Sequence, residues 1–331
     1  MTETITVARL AEVSGLSIPT VSKVINHRKG VSRTSREAVE RAIEQTGYVK
    51  RSRGARGGIS IVDLLISGLD SQWAFALIQG ASDEAQRLGL EIIVTANMGQ
   101  VEAQEAWLQR VASRGTAGVI SVVSQMTPET VDELRRQEVP VVLVDPIGSG
   151  EPNFSVISAT NWAGGLSATE HLIGLGHRRI GIITGPVEEA CTADRLDGYS
   201  AALRRAGISL DDDLIRHGDS LVDGGKLNGG ILLDLPNPPT AIFSCSDEQA
   251  YGVYEAAAER RIKIPKHLSV VGFDDVNLCQ WVSPQLTTVR QPLSEMGAVA
   301  VRRVANTADG AGRLELPTSL IVRESTAPAR R

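Results

Sequence analysis

The period of the apolar positions changes near residue 59. Before it, apolar residues recur at helical spacing. Val7, Leu10 and Ala11 stand at i, i+3 and i+4, Val21, Val24 and Ile25 repeat the stripe, and Ala38, Val39, Ala42 and Ile43 form a third. Residues 5–48 are therefore predicted to be three short helices. Ser14-Gly15-Leu16 breaks the first, with Gly15 free to take the left-handed conformation of a helix end. Ser17 suits an N-cap and Pro19 a first turn. Ser32 or Thr34 opens the third helix, and Thr34 to Glu37 fits a capping box. After residue 59 come short Val/Ile/Leu-rich runs, each a candidate strand covered on both faces: 59–66, 90–95, 117–123, 139–144, 180–183, 241–243 and 268–272. Helical stretches at 73–88, 101–113, 128–137, 162–175, 193–206, 247–261 and 293–308 separate them. This alternation predicts doubly wound parallel sheets, and the length predicts two lobes. Between the regimes, residues 49–58 hold four cations and three glycines, which reads as a flexible basic linker.

A turn this short lets the second helix stand clear of the first. That is the helix-turn-helix arrangement, whose second helix puts its N-terminal residues at base edges in the major groove. Ser17, Pro19, Thr20, Ser22 and Lys23 are the exposed set. The same spacing suits a three-helix protein-binding module, and charge moves the balance. Residues 1–58 hold 11 Lys/Arg against 5 Asp/Glu, and the rest 23 against 34. A basic module on an acidic body is expected where one end meets a polyanion.

The stretch VARLAEVSGLSIPTVSKVIN followed by VSRTSREAVERAIEQTGY resembles the headpiece of the lactose-repressor (LacI/GalR) family of bacterial transcription regulators. The resemblance continues through GGLSATEHLIGLGHRRIGIITGP, RLDGYSAALRRAGI, PPTAIFSCSDEQAYGVYEAA, LSVVGFDD and PQLTTVRQP, in family order over nearly the whole chain. It implies a helix-turn-helix headpiece at 1–48, a hinge at 49–58 and a periplasmic-binding-protein-like core. The core's first lobe would comprise 59–159 and 290–318, its second 160–289 and 319–331. For DNA the resemblance implies Thr6, Val7, Ser17, Ile18, Pro19, Thr20, Ser22, Lys23, Asn26, Ser32 and Tyr48, and the linker's own cations add Arg51, Arg53 and Arg56. The family hinge folds on DNA and drives a leucine into the minor groove. Here no leucine lies between Leu16 and Leu64, and Gly57 stands about where the wedge would fall. The expectation is an arginine-bearing hinge without a wedge, its cations entering a narrow minor groove or merely tethering the headpieces.

In open α/β sheets, ligands bind outside the carboxyl ends of strands. That rule selects Asp70 and Trp73 after the first strand, Ser124 after the third, and Asn161 and Trp162 at a helix start. It also selects Arg195, Asp247 after AIFSC, Asp274 after SVVGF, and Trp281. Carboxylates, one Arg and aromatic plates suit a polyhydroxylated ligand, since Asp accepts hydroxyl hydrogen bonds, Arg donates in a fixed fork and Trp covers a sugar's C–H face. Arg195, Asp247 and Asp274 match family effector contacts, and Trp73 matches a stacking aromatic. Asp247 also reads as a helix N-cap, and Trp107 as packing.

Other classes have little support. P-loop, nucleophile-elbow and zinc-protease motifs are absent from the sequence, as are an apolar leader and any 18-residue apolar stretch. The five His and three Cys lack metal-ligand spacing, so neither metal nor cofactor is expected and the thiols read as free. The expected function is a cytoplasmic, sequence-specific transcription regulator, in the first instance a repressor. It would bind double-stranded operator DNA as a homodimer or tetramer and answer to a small effector, a sugar by residue type. A solute-binding protein without DNA-binding activity and a purine-type corepressor-dependent repressor are the alternatives.

Overall fold

The computed structural model describes residues 7–25, 31–46, 60–96, 101–123, 126–147, 154–306 and 312–330. The chain divides into two units, residues 1–53 and 54–331.

In the first unit, α1 (Val7–Ser14), α2 (Ile18–Ile25) and α3 (Arg33–Thr46) enclose Leu10, Val21, Val24, Ile25, Val39 and Ala42. Gly15 ends α1 at φ +68°, in open space where a Cβ would meet no atom but the backbone itself would be strained. The Ser17 hydroxyl accepts from Thr20 N–H at 3.4 Å, while Thr20 and Ser17 hydroxyls meet at 2.9 Å. The third helix starts at the earlier of the two expected positions. Ser32 caps it, accepting from Ser35 N–H at 3.1 Å, and Glu37 pairs with Arg33 at 3.3 Å.

The second unit holds two six-stranded sheets. The first comprises β1 (Ser60–Ile66), β2 (Leu90–Ala96), β3 (Gly118–Val122), β4 (Val141–Val144), β5 (Ser155–Ala159) and, from late in the chain, β11 (Arg313–Leu316). All its pairings are parallel, in the order β11-β5-β4-β3-β1-β2. The second comprises β6 (Ile180–Thr184), β7 (Ile215–His217), β8 (Ala241–Ser244), β9 (Ser269–Asp274), β10 (Thr287–Arg290) and β12 (Ser319–Ile321). Its order is β12-β10-β9-β8-β6-β7, parallel except where β12 runs against β10. The chain therefore passes between the sheets at about residues 160, 291 and 317.

Helices α4 (Gln72–Leu88), α5 (Val101–Arg114), α6 (Pro128–Arg136) and α12 (Leu293–Ala305) belong to the first lobe. Helices α7 (Asn161–Gly174), α8 (Ala190–Arg205), α9 (Val222–Leu233), α10 (Asp247–Glu259) and α11 (Leu278–Trp281) belong to the second. Helices α7 and α8 cross tightly at two glycines: a Cβ at Gly165 would lie 2.3 Å from the Arg195 carbonyl oxygen, and one at Gly198 2.2 Å from the Trp162 carbonyl oxygen. Only glycine there lets α8 come in far enough to bury Arg195.

Candidate functional site

A cavity of about 270 Å³ opens at the carboxyl ends of both sheets. The first lobe lines it with the segment after β1, including Asp70, Ser71 and Trp73, with Val123 after β3 and with Asp145 after β4. The second lobe adds Glu189, Cys191 and Arg195 from the β6–α8 connection and α8 itself. It further supplies Asp219 and Ser220 after β7, Ser246 and Glu248 after β8, and Asp274 at the end of β9.

Arg195 is the cation of this site and is held from three sides. Its Nε donates to Asn161 Oδ1 at 2.9 Å, its Nη1 donates to the Cys245 carbonyl at 2.5 Å, and its guanidinium lies 3.8 Å from the centre of the Phe273 ring. A planar fork fixed this way points its remaining donors without having to order itself on binding. Asp274 accepts from Gln291 Nε2 at 2.6 Å. Burial pushes its carboxyl well above the ordinary range, with Arg195 opposing the rise and Asp247 adding to it. Asp145 is 3% exposed, and neither of its oxygens has a hydrogen-bond partner among the described residues. Burial raises its pKa to about 6 against the pull of Arg195, with the charge of Glu189 adding to the rise. Glu189 and Glu248 are also raised, chiefly by burial.

Backbone strain concentrates on the same surface. Val123 (φ 40°), Asp145 (φ 43°), Ser220 (φ 68°) and Asp274 (φ 121°) line the cavity, all at positive φ without being glycine. Such conformations cost roughly 1–3 kcal/mol each and persist where the surroundings fix them, commonly at ligand sites. The lobes also touch at the rim. Gln72 N–H donates to Glu248 Oε1 at 2.7 Å, and Leu278 N–H donates to Gln72 Oε1 at 3.1 Å.

Comparison with known proteins places this architecture. Residues 6–50 match the model for bacterial regulatory proteins of the lacI family, and residues 169–326 match that for periplasmic binding protein-like domains. The ribose operon repressor of Haemophilus influenzae is 32% identical, with 96% of this chain and 97% of the relative aligned. The chain belongs to the lacI family. The regulator CelR, solved with cellobiose, is 31% identical at a TM-score of 0.74, covering 97% of this chain and 99% of CelR. The lac repressor dimer bound to operator and an anti-inducer is 26% identical at 0.73, covering 98% and 100%. As a lacI-family member the protein is a sequence-specific DNA-binding transcription regulator controlled by a small effector, and its close relatives are DNA-binding regulators rather than enzymes. No helix among the described residues is long and apolar enough to cross a membrane.

In the core of this lacI-family chain, four of the residues expected at the effector site come together on the cavity: Asp70, Trp73, Arg195 and Asp274. Asn161 is buried behind it, and its contribution is to hold Arg195. Asp247 does not reach it. Fully buried, Asp247 accepts from Val276 N–H at 2.9 Å and from the Thr288 hydroxyl at 2.5 Å, fixing the loop after β9. It does not cap α10 either; the Ser246 hydroxyl does that, accepting from Gln249 N–H at 3.0 Å. Trp162 stands 41% exposed with the Arg205 guanidinium 5.8 Å from its ring, and Trp281 is 70% exposed on α11; neither lines the cavity. Ser124 lies outside the described residues. Asp145, Glu189, Asp219 and Glu248 were not anticipated. The strand-end rule would have found Asp145, which follows the run VVLV directly.

In the headpiece, Ser17, Ile18, Pro19 and Lys23 are exposed at and after the start of α2, and Thr20 and Ser22 are half-buried beside them. Ser32 is exposed while capping α3. Val7 opens α1. Thr6, Asn26, Tyr48, Arg51, Arg53 and Arg56 lie outside the described residues, as does the whole linker. The three cysteines are free and buried. No group of His, Cys, Asp or Glu among the described residues could hold a metal ion.

Proposed function

We propose that this regulator is a cytoplasmic repressor that binds a pseudo-palindromic operator as a homodimer and takes a polyhydroxylated effector, a sugar, in the cavity between its lobes. Arg195, Asp274 and Asp145 bind hydroxyls, Asp70 adds an acceptor at the rim, and Trp73 covers an apolar ring face. The observation that carries this reading is the pairing of a buried, fixed guanidinium with a buried carboxylate whose oxygens accept no hydrogen bond among the described residues, one from each lobe, on the same cavity. A ligand bridging the two joins the lobes. The cavity lies just under the roughly 300–1,000 Å³ typical of drug-sized ligands, which suits about one sugar ring. CelR in complex with cellobiose and the ribose operon repressor support the class.

The α2 face formed by Ser17, Pro19, Thr20, Ser22 and Lys23 reads bases, and the headpiece excess of Lys/Arg supplies phosphate affinity. Two-fold operator symmetry mirrors two-fold protein symmetry, and exposed Leu227 and Ile231 on α9 offer an apolar face for the second copy. The effector shifts operator affinity only through its differential affinity for the two lobe arrangements. A thermal-shift screen of the full chain over sugars, followed by gel shifts on fragments of its genome with and without the hits, tests the reading. A hit that both stabilises the protein and releases a specific fragment is the expected result. Specific DNA binding that no sugar alters removes the sugar assignment.

A further inference from the structure

The cavity gathers more carboxyl groups than hydroxyl recognition requires. Asp70, Asp145, Glu189, Asp219, Glu248 and Asp274 line it, against the single guanidinium of Arg195. That guanidinium already spends two donors on Asn161 and Cys245. Asp145, Glu189 and Asp274 share its pull. Two pairs of them are disposed across the lobes. Asp145 of the first lobe and Glu189 of the second line the same cavity, and the backbones of Ile147 and Glu189 pair in an isolated antiparallel bridge that brings their segments together. At the rim, Asp70 of the first lobe and Glu248 of the second line the same cavity.

We propose that the effector carries a protonated amine on its sugar or polyol frame, and that this ammonium seats at the corner shared by Asp145 and Glu189. The inference rests on the reading of this cavity as a polyol effector site. Hydroxyl donors satisfy carboxylate oxygens but leave their charge in place, and Arg195 offsets only part of the charge gathered from the two lobes. An ammonium supplies three donors and the opposite charge, and reaches both oxygens of the partnerless Asp145 together with Glu189. Bridging carboxylates of both lobes with one positive group couples lobe closure to the ligand's charge. A phosphorylated or acidic sugar meets the reverse situation, since no second cation among the described residues lines the cavity. A divalent metal is a poor occupant, because no group of three ligating side chains among the described residues could hold one.

The test uses the full chain and matched ligand sets. Glucosamine, galactosamine and mannosamine are each titrated calorimetrically beside the neutral parent hexose, the N-acetyl derivative and the 6-phosphate. In at least one set the free amine binds about tenfold or more tighter than its parent, the factor that about 1.4 kcal/mol gives. The N-acetyl form loses that advantage and the 6-phosphate binds weakest. In Glu189→Gln, with folding checked by circular dichroism, the ratio of amine to parent affinity falls toward one. A neutral parent or a 6-phosphate that binds as tightly as its amine overturns the inference while leaving the sugar reading in place. Failure of every member of every set to bind overturns the sugar reading and the inference with it.

Discussion

Asp145→Asn isolates the energetic consequence of an unpaired buried carboxylate. The substitution keeps the size and shape of the side chain and removes its charge. Burial holds the Asp145 carboxyl at about 6 rather than 3.8. The folded protein therefore binds a proton more tightly than the unfolded chain, and stability falls as pH rises from the unfolded value through the folded one. At about 1.4 kcal/mol per tenfold, this loss is about 3 kcal/mol, complete above pH ~7 and absent below pH ~4. The asparagine variant does not titrate there. Its own unpaired amide contributes equally at both pH values, so the difference between variant and wild type, taken at pH 7.5 and again at pH 4, cancels it. Urea unfolding of the core should show the variant gaining about 3 kcal/mol on wild type between the two pH values. In a thermal scan that gain is a shift of about 6 °C or more, since 1 kcal/mol moves a domain of this size by roughly 2–4 °C. Parallel pH profiles for the two proteins would refute the claim that Asp145 stands charged and unpartnered in the empty cavity.

Three further perturbations probe other parts of the account. Asn161→Ala removes the acceptor of the Arg195 Nε–H bond, a bond to a charged group of about 1.5–3 kcal/mol; effector affinity should drop about tenfold or more by calorimetry while operator affinity is retained. Lys23→Ala and Thr20→Ala should each weaken operator binding by about 1–3 kcal/mol in gel-shift titrations, and unchanged affinity in both would remove α2 from the role of reading helix. Neutralising Arg51, Arg53 and Arg56 together should flatten the salt dependence of operator binding by close to three phosphate contacts, while circular-permutation assays should find a gentler bend than a wedge produces; an unchanged slope means the linker only tethers.

The periodic parts of the fold were legible because their pattern and their burial coincide. The runs that became β1, β3, β6, β8 and β9 are rich in Val, Ile, Leu and Phe and are buried along most of their length. Strand β5, SVISA, hides among small and polar residues, and β11 and β12 alternate only weakly at the sheet edges. Helix α9 was missed because VDGGKLNGGILL carries four glycines, each unfavourable to an isolated helix by about 1 kcal/mol relative to Ala. Tertiary packing explains them: a Cβ at Gly225 would lie 2.2 Å from the Gln249 carbonyl oxygen, so the glycine is what lets α9 rest on α10. At the site, strand-end position pointed to Asp274, while Arg195, read as opening a helix, lies inside α8, and Asp247 was chosen over Glu248. Adjacent residues at a helix start point about 100° apart, and only the packing of α10 decides which of them faces the cavity. The tryptophans show the same limit. Trp73 faces the cavity and Trp162 and Trp281 face outward, a difference no local spacing encodes.

The central claim is that operator affinity answers to a ligand grasped by Arg195. Fluorescence-anisotropy titration of a labelled operator fragment tests it in the wild type and in Arg195→Lys, each with and without the sugar that most stabilises the wild-type protein. Lysine keeps the charge but loses the fork held by Asn161 and Cys245. The account predicts equal operator affinity for the two proteins without sugar, release of the operator by wild type on adding it, and no release by Arg195→Lys at the same concentration. Release of both proteins at the same sugar midpoint would contradict it.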